Sequence, residues 1–174
     1  VSDAGGWDDK SFNESAYNGL KAAQDSLGIQ INTAESSSDT DFVPNVEAMV
    51  SDGCTLIIGV GFNLEQAIHK SAEQNTDLHY ALVDSSFTDG QETVTLENGR
   101  PLLFNTAEAA FLAGYAAAGM TNTGKVATFG GMKIPSVTVF MDGFVDGVDA
   151  YNKAKGTSVQ VLGWDKATQN GSFT

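Results

Sequence analysis

CTLIIGVGFNLEQAIHKSA, residues 54–72, is the unit from which the rest of the chain can be read. Residues 54–60 are almost wholly apolar, as a strand covered on both faces must be. A glycine-bearing turn follows, and Asn63 stands where a helix cap belongs, ahead of Leu64, Ala67, Ile68 and Ala72 at helical spacing. A strand, a tight turn and a helix of about a dozen residues predict a right-handed β-α-β unit on a parallel sheet.

The same alternation runs outward in both directions. Upstream, residues 11–28 pair Ser11 with Glu14 at capping-box spacing and repeat Phe12, Ala16, Leu20, Ala23 and Leu27 along one helical face, with Gly28 as the stop. Residues 29–32 read as a strand, and Phe42, Val46, Met49 and Val50 as the stripe of a second helix closed by Gly53. Val1-Ser2-Asp3 reads as the tail of a strand whose beginning is cut away. Downstream, residues 78–83 form the next strand. The period changes over 93–104 around Asn98-Gly99, a turn signal that predicts an extended or hairpin excursion. Beyond it follow a helix at 107–120, a strand at 125–129, a helix at 136–152 and a strand at 158–162.

The expected fold class is therefore α/β, a doubly wound parallel sheet with helices on both faces. Residues 1–105 make a first ligand-binding lobe and 106–174 part of a second. Two strands and two helices are too few to cover both faces of such a sheet, so the second lobe reads as incomplete. Its uncovered apolar surface and open sheet edge would favour self-association.

Charge excludes several functions. Of 174 residues, 22 are acidic and 9 basic, a formal charge of −13 that repels nucleic acid and anionic membrane surfaces alike. Cys54 is the sole cysteine, which forbids an intrachain disulfide and fits a small core hydrophobe. The longest apolar stretch, 109–120, falls short of the about 20 residues that a bilayer requires. His69 and His79 lack metal-ligand spacing, and the pairs Asp8-Asp9 and Asp39/Asp41 lack a calcium-loop pattern. Neither glycine loop fits a phosphate-binding signature, and no nucleophile elbow occurs. The sequence offers no catalytic set, no metal site and no cofactor site.

In an open parallel sheet, ligands bind beyond the carboxyl ends of the strands. That rule selects Asp3 with the glycines after it, residues 59–62, Asp84 with Ser85-Ser86, and Gly130-Gly131. Asp3 and Asp84 are acceptors suited to hydroxyl or N–H groups, although helix capping or turn closure explains such residues equally well. Phe12 opens a helix on the same edge, as a stacking platform or as a contact at the helix start.

The run Asp3-Ala4-Gly5-Gly6-Trp7-Asp8-Asp9-Lys10-Ser11-Phe12-Asn13 resembles the opening motif of the basic membrane protein family. Residues 57–62, 107–115, 124–135 and 171–174 continue the resemblance in family order. These are lipoprotein substrate-binding subunits of ABC importers and include purine nucleoside receptors. The resemblance implies a two-lobed, type I periplasmic-binding-protein fold, a nucleoside closed between lobes, permease subunits as partners, and an extracytoplasmic place with a lipid anchor that is not in this chain. It also implies ligand contacts from Asp3, Phe12, Asn13 and Asp84, with Phe173 as a second aromatic and Gly131 beside it. Two rival readings stay open: a receptor for a sugar or other small polar solute of the same fold, and a cytosolic α/β enzyme acting on nucleosides.

Overall fold

The computed structural model describes residues 1–89 and 92–174. The chain divides into two compact units, Val1–Leu103 and Phe104–Thr174.

The first unit is built on a three-stranded parallel sheet in the order β1 (Leu56–Val60), β2 (His79–Val83), β5 (Gly99–Leu102). Ser2 bridges Val60 in parallel, so the first residues extend the sheet beyond β1. Side chains alternate across a strand, which sends Ile57 from β1 and Tyr80 and Leu82 from β2 to one face. There they meet Val46 and Met49 of α2 (Phe42–Ser51) and Ala67, Ile68 and Ala72 of α3 (Glu65–Gln74), all buried. Ile68 and Leu82 have no exposed surface. Burying each contributes about 1.5–3 kcal/mol, so this cluster is the main support of the unit. The helix α1 (Phe12–Leu27) lies outside that cluster, stops at Gly28 in the left-handed conformation, and leaves Leu27 73% exposed.

Three local expectations are corrected. Residues 29–32 join no ladder: on the edge of the first residues that faces away from Val60, the Ser2 N donates instead to the Ala34 carbonyl at 3.0 Å, beyond the expected strand. Asn63 does not cap α3; a 3-10 turn, Phe62–Leu64, intervenes and frees its side chain for other use. Of the extended and hairpin readings of residues 93–104, the hairpin about Asn98-Gly99 does not form and the extended one does. The Asn98 amide donates to the carbonyls of Ala72, Asn75 and Leu78, fastening the segment beside β2 so that Gly99–Leu102 runs parallel to it. The antiparallel pair lies earlier, between β3 (Thr88–Asp89) and β4 (Glu92–Thr93).

The second unit pairs α4 (Thr106–Met120) with α5 (Pro135–Lys155) beside a parallel two-stranded sheet, β6 (Lys125–Ala127) with β7 (Gln160–Leu162). The helices touch backbone to backbone: a side chain at Gly114 would collide with the Phe144 carbonyl, and one at Gly147 with that of Phe111. A short antiparallel pair, β8 (Trp164–Asp165) and β9 (Asn170–Gly171), completes it. Among the described residues no helix is long and apolar enough to cross a membrane.

Candidate functional site

Because β1, β2 and β5 are parallel, their carboxyl ends share one edge, and each residue just past an end is tied to its neighbour. Asp3 N donates to Val60 O at 3.0 Å, Gly61 N to Val83 O at 3.2 Å, and Asp84 N to Leu102 O at 3.0 Å. The backbones of Asp3 and Asp84 therefore stand two strand spacings apart, about 10 Å.

Asp3 is half-buried, and its carboxylate accepts a hydrogen bond from Asn63 Nδ2 at 3.1 Å. Burial pushes its pKa above the usual value, the Asn63 and Asn13 amides pull it part of the way back, and the negative charge of Asp9 adds to the rise. Gly61 makes room for it. Its φ of +104° suits only glycine, and a side chain there would run into the Asp3 carboxylate.

Asp84 ends β2 with φ +65°, a left-handed backbone that L residues rarely hold. Burial raises its pKa too, and no cation or donor meets its carboxylate among the described residues. The Asp84 carboxylate is thus partly desolvated and, among the described residues, unpartnered, on a backbone conformation that Asp tolerates better than most L residues. Strain of this kind gathers at binding sites.

Asn13 and Phe12 arrive on the first turn of α1. Asn13 is buried, 2% exposed; its Nδ2 donates to the Ala4 carbonyl at 3.3 Å, while its Oδ1 is buried without a partner. Phe12 is 41% exposed, so the residue is no core anchor. The expected Ser11 cap does not form. Asp9 takes that role: Oδ1 accepts from Ser11 N at 2.8 Å and Glu14 N at 3.0 Å, and Oδ2 from Asn13 N at 3.1 Å. These bonds, that to Glu14 foremost, hold the Asp9 carboxyl below the usual range.

The first unit thus assembles Asp3, Asn13, Phe12 and Asp84 on one edge. Gly61 lies in the strand-end stretch 59–62 that the sequence selects, but Asp9 and Asn63 were missed as supports. Asp9 carries a local signal, an Asx spacing two residues ahead of Ser11.

In the second unit, Gly130 N donates to Ser172 O and Thr174 N to Gly130 O, which places Phe173 against Gly130. The Phe173 ring also meets the Trp164 ring edge-on, with centroids 5.9 Å apart. Gly131 is exposed beside this bridge with open space around it. It lines an open apolar groove of about 440 Å³ with Ala110, Val137, Phe140 and Phe144. Among the described residues no acidic, histidine or cysteine cluster could hold a metal ion.

A family model described as ABC transporter substrate-binding protein PnrA-like matches residues 1–173. Basic membrane protein A of Borreliella burgdorferi is 34% identical over 159 residues, 91% of this chain and 46% of the relative. The ABC transporter nucleoside-binding protein BmpA of Lactococcus lactis is 33% identical over 167 residues, 94% of this chain and 46% of the relative. The chain spans about half the length of the curated relatives it matches. An ABC transporter solute-binding protein from Aeropyrum pernix superposes with a TM-score of 0.78 at 29% identity, over 92% of this chain and 46% of that one. A myo-inositol binding protein from Caulobacter, at 14% identity and TM-score 0.61 over 93% of this chain and 53% of that one, shares the fold alone. The fold is that of periplasmic-binding-protein-like solute-binding proteins, and the chain belongs to the family of PnrA-like ABC transporter substrate-binding proteins, a family of solute-binding proteins and not of enzymes.

Proposed function

We propose that this chain is part of a receptor that captures a purine nucleoside outside the cell membrane and delivers it to the permease of an ABC importer, without catalysing a reaction. We take its two units as a first lobe and part of a second, held at the membrane by a lipid anchor elsewhere in the full-length protein. The observation that carries the nucleoside reading is Asp84, left-handed at φ +65° at a strand end, its carboxylate partly buried and without a partner among the described residues. It shares that edge with Asp3 and with the exposed Phe12 ring.

The chemistry of such an edge is selective. Two carboxylates accept from ribose hydroxyls and base N–H groups but repel phosphate, which favours nucleosides over nucleotides. Phe12 offers a face for the base in the first unit, and in the second unit Phe173, fixed by Gly130 and Trp164, is proposed as a further ligand contact. Gly131 leaves room for close backbone approach by the ligand.

A thermal-shift panel on the full-length protein tests this. Ligand at a hundred times its Kd stabilises the folded state by about 2.7 kcal/mol. Guanosine, inosine or adenosine should raise the melting temperature, and ribose and galactose should leave it unchanged. Stabilisation by the sugars alone would replace the nucleoside with a sugar. Release of free hypoxanthine from inosine above background would replace the receptor with an enzyme.

A further inference from the structure

The stacking residue and the buried amide of the proposed site are consecutive, and one carboxylate outside the site holds the backbone on both sides of them. Asp9 accepts from Ser11 N, Asn13 N and Glu14 N, bracketing Phe12 between two of its bonds. Glu14 returns the contact, its Oε2 accepting from Lys10 N at 2.9 Å, which closes a loop in which Lys10 is left-handed at φ +53°. The preceding residues are fastened independently. Trp7 N donates to Glu35 Oε1 at 2.8 Å, the Trp7 ring stacks on Tyr17 of α1 at 5.4 Å, and Asn13 Nδ2 reaches back to the Ala4 carbonyl. Charged acceptors make shorter and stronger bonds to backbone N–H groups than hydroxyls do, so a carboxylate fixes this turn more tightly than the Ser11 hydroxyl could.

From this geometry we infer that Asp9 is a positioning residue for ligand binding: it touches no ligand, but sets where the Phe12 ring and the Asn13 amide stand. The inference rests on the nucleoside reading for its ligand and on hydrogen-bond geometry for its mechanism. A cap that merely stabilised α1 would affect folding and leave the affinity of the folded protein unchanged. A positioning residue loses its effect once the group it positions is gone.

The test uses full-length protein, guanosine as the probe, and a temperature at which every variant is folded. Asp9→Ala should weaken guanosine binding about tenfold or more in the wild-type background and by less than about threefold in the Asn13→Ala background, the non-additivity of groups acting as one unit. Phe12→Ala supplies the same cycle if Asn13→Ala folds poorly. Asp9→Asn keeps one acceptor oxygen and should recover part of the loss. Independently of ligand, the amides of Asn13 and Glu14 should exchange about tenfold faster or more in Asp9→Ala, with those of α3 unchanged. Equal losses in both backgrounds, unchanged affinity, or unchanged exchange at Asn13 and Glu14 would overturn the inference. A wild type that ignores guanosine sinks the nucleoside reading instead, and the exchange arm alone then decides whether Asp9 holds the segment.

Discussion

Asp84 gives the sharpest test of a residue kept for binding at the expense of stability. A left-handed backbone costs an L residue about 1–2 kcal/mol, with Asp at the lower end because its side chain can bond locally. Asp84→Gly removes that strain, and the added freedom of glycine in the unfolded chain returns about 0.5–1 kcal/mol, so the net change should lie near zero. Asp84→Asn keeps the backbone tolerance and removes the charge. The sign of its pH dependence follows from burial, which raises the folded-state pKa above the unfolded value of 3.8. The folded protein then holds the proton more tightly than the unfolded chain, and Asp84 contributes less stability as pH rises through that window. Asp84→Asn should therefore gain on the wild type as pH rises from below the unfolded value of 3.8 through the raised folded-state pKa, where a typical substitution costs about 1 kcal/mol. Binding should move the other way. Loss of a charged acceptor costs about 1.5–3 kcal/mol, or roughly tenfold to a hundredfold in affinity. Denaturant titrations at acid and neutral pH, with calorimetric titration of guanosine and its deoxy forms, measure both. The loss should be greater for ribonucleosides than for the deoxy forms. A loss above about 1 kcal/mol of stability at neutral pH with unchanged affinity would make Asp84 a structural residue and refute the reasoning.

Three further outcomes are expected. Phe12→Ala should weaken nucleoside binding by about 1–3 kcal/mol, the range for base stacking, while denaturation barely changes because the residue is 41% exposed; a variant that unfolds while its folded fraction binds normally would make Phe12 a packing residue. Gly61→Ala should lose about 1–3 kcal/mol in denaturant titration, and affinity with it, because the new methyl meets a left-handed backbone and the Asp3 carboxylate together. Gly147→Ala should cost at least as much in the same assay by forcing α4 and α5 apart at the Phe111 carbonyl, so an unchanged midpoint would contradict the close contact.

The elements legible in the sequence were those whose signal is local and repeated. The apolar run of β1, the stripe of α2 and the stop at Gly28 each follow from periodicity and capping within a few residues. What failed was decided by distant partners. Asn98-Gly99 carries a hairpin signature, yet three carbonyls, the nearest of them 20 residues away at Leu78, bind the Asn98 side chain and make the following strand parallel. Ser11 and Glu14 fit a capping box, but Asp9 reaches the same N–H groups with a charge. At the proposed site, Asp3 and Asp84 were singled out as strand ends and Phe12 as a helix start, whereas Asn13 came only with the family resemblance. Asn63 was not legible there: its contact with Asp3 spans 60 positions, and its place ahead of a helix gave it a cheaper explanation.

The most direct measurement of the central claim is the mass of the small molecule released when full-length protein, purified without added ligand, is denatured. The account predicts a purine nucleoside, bound near one per chain and lost from the Phe12→Ala and Asp84→Asn variants. A sugar or another polar solute, retained by those variants, would contradict it.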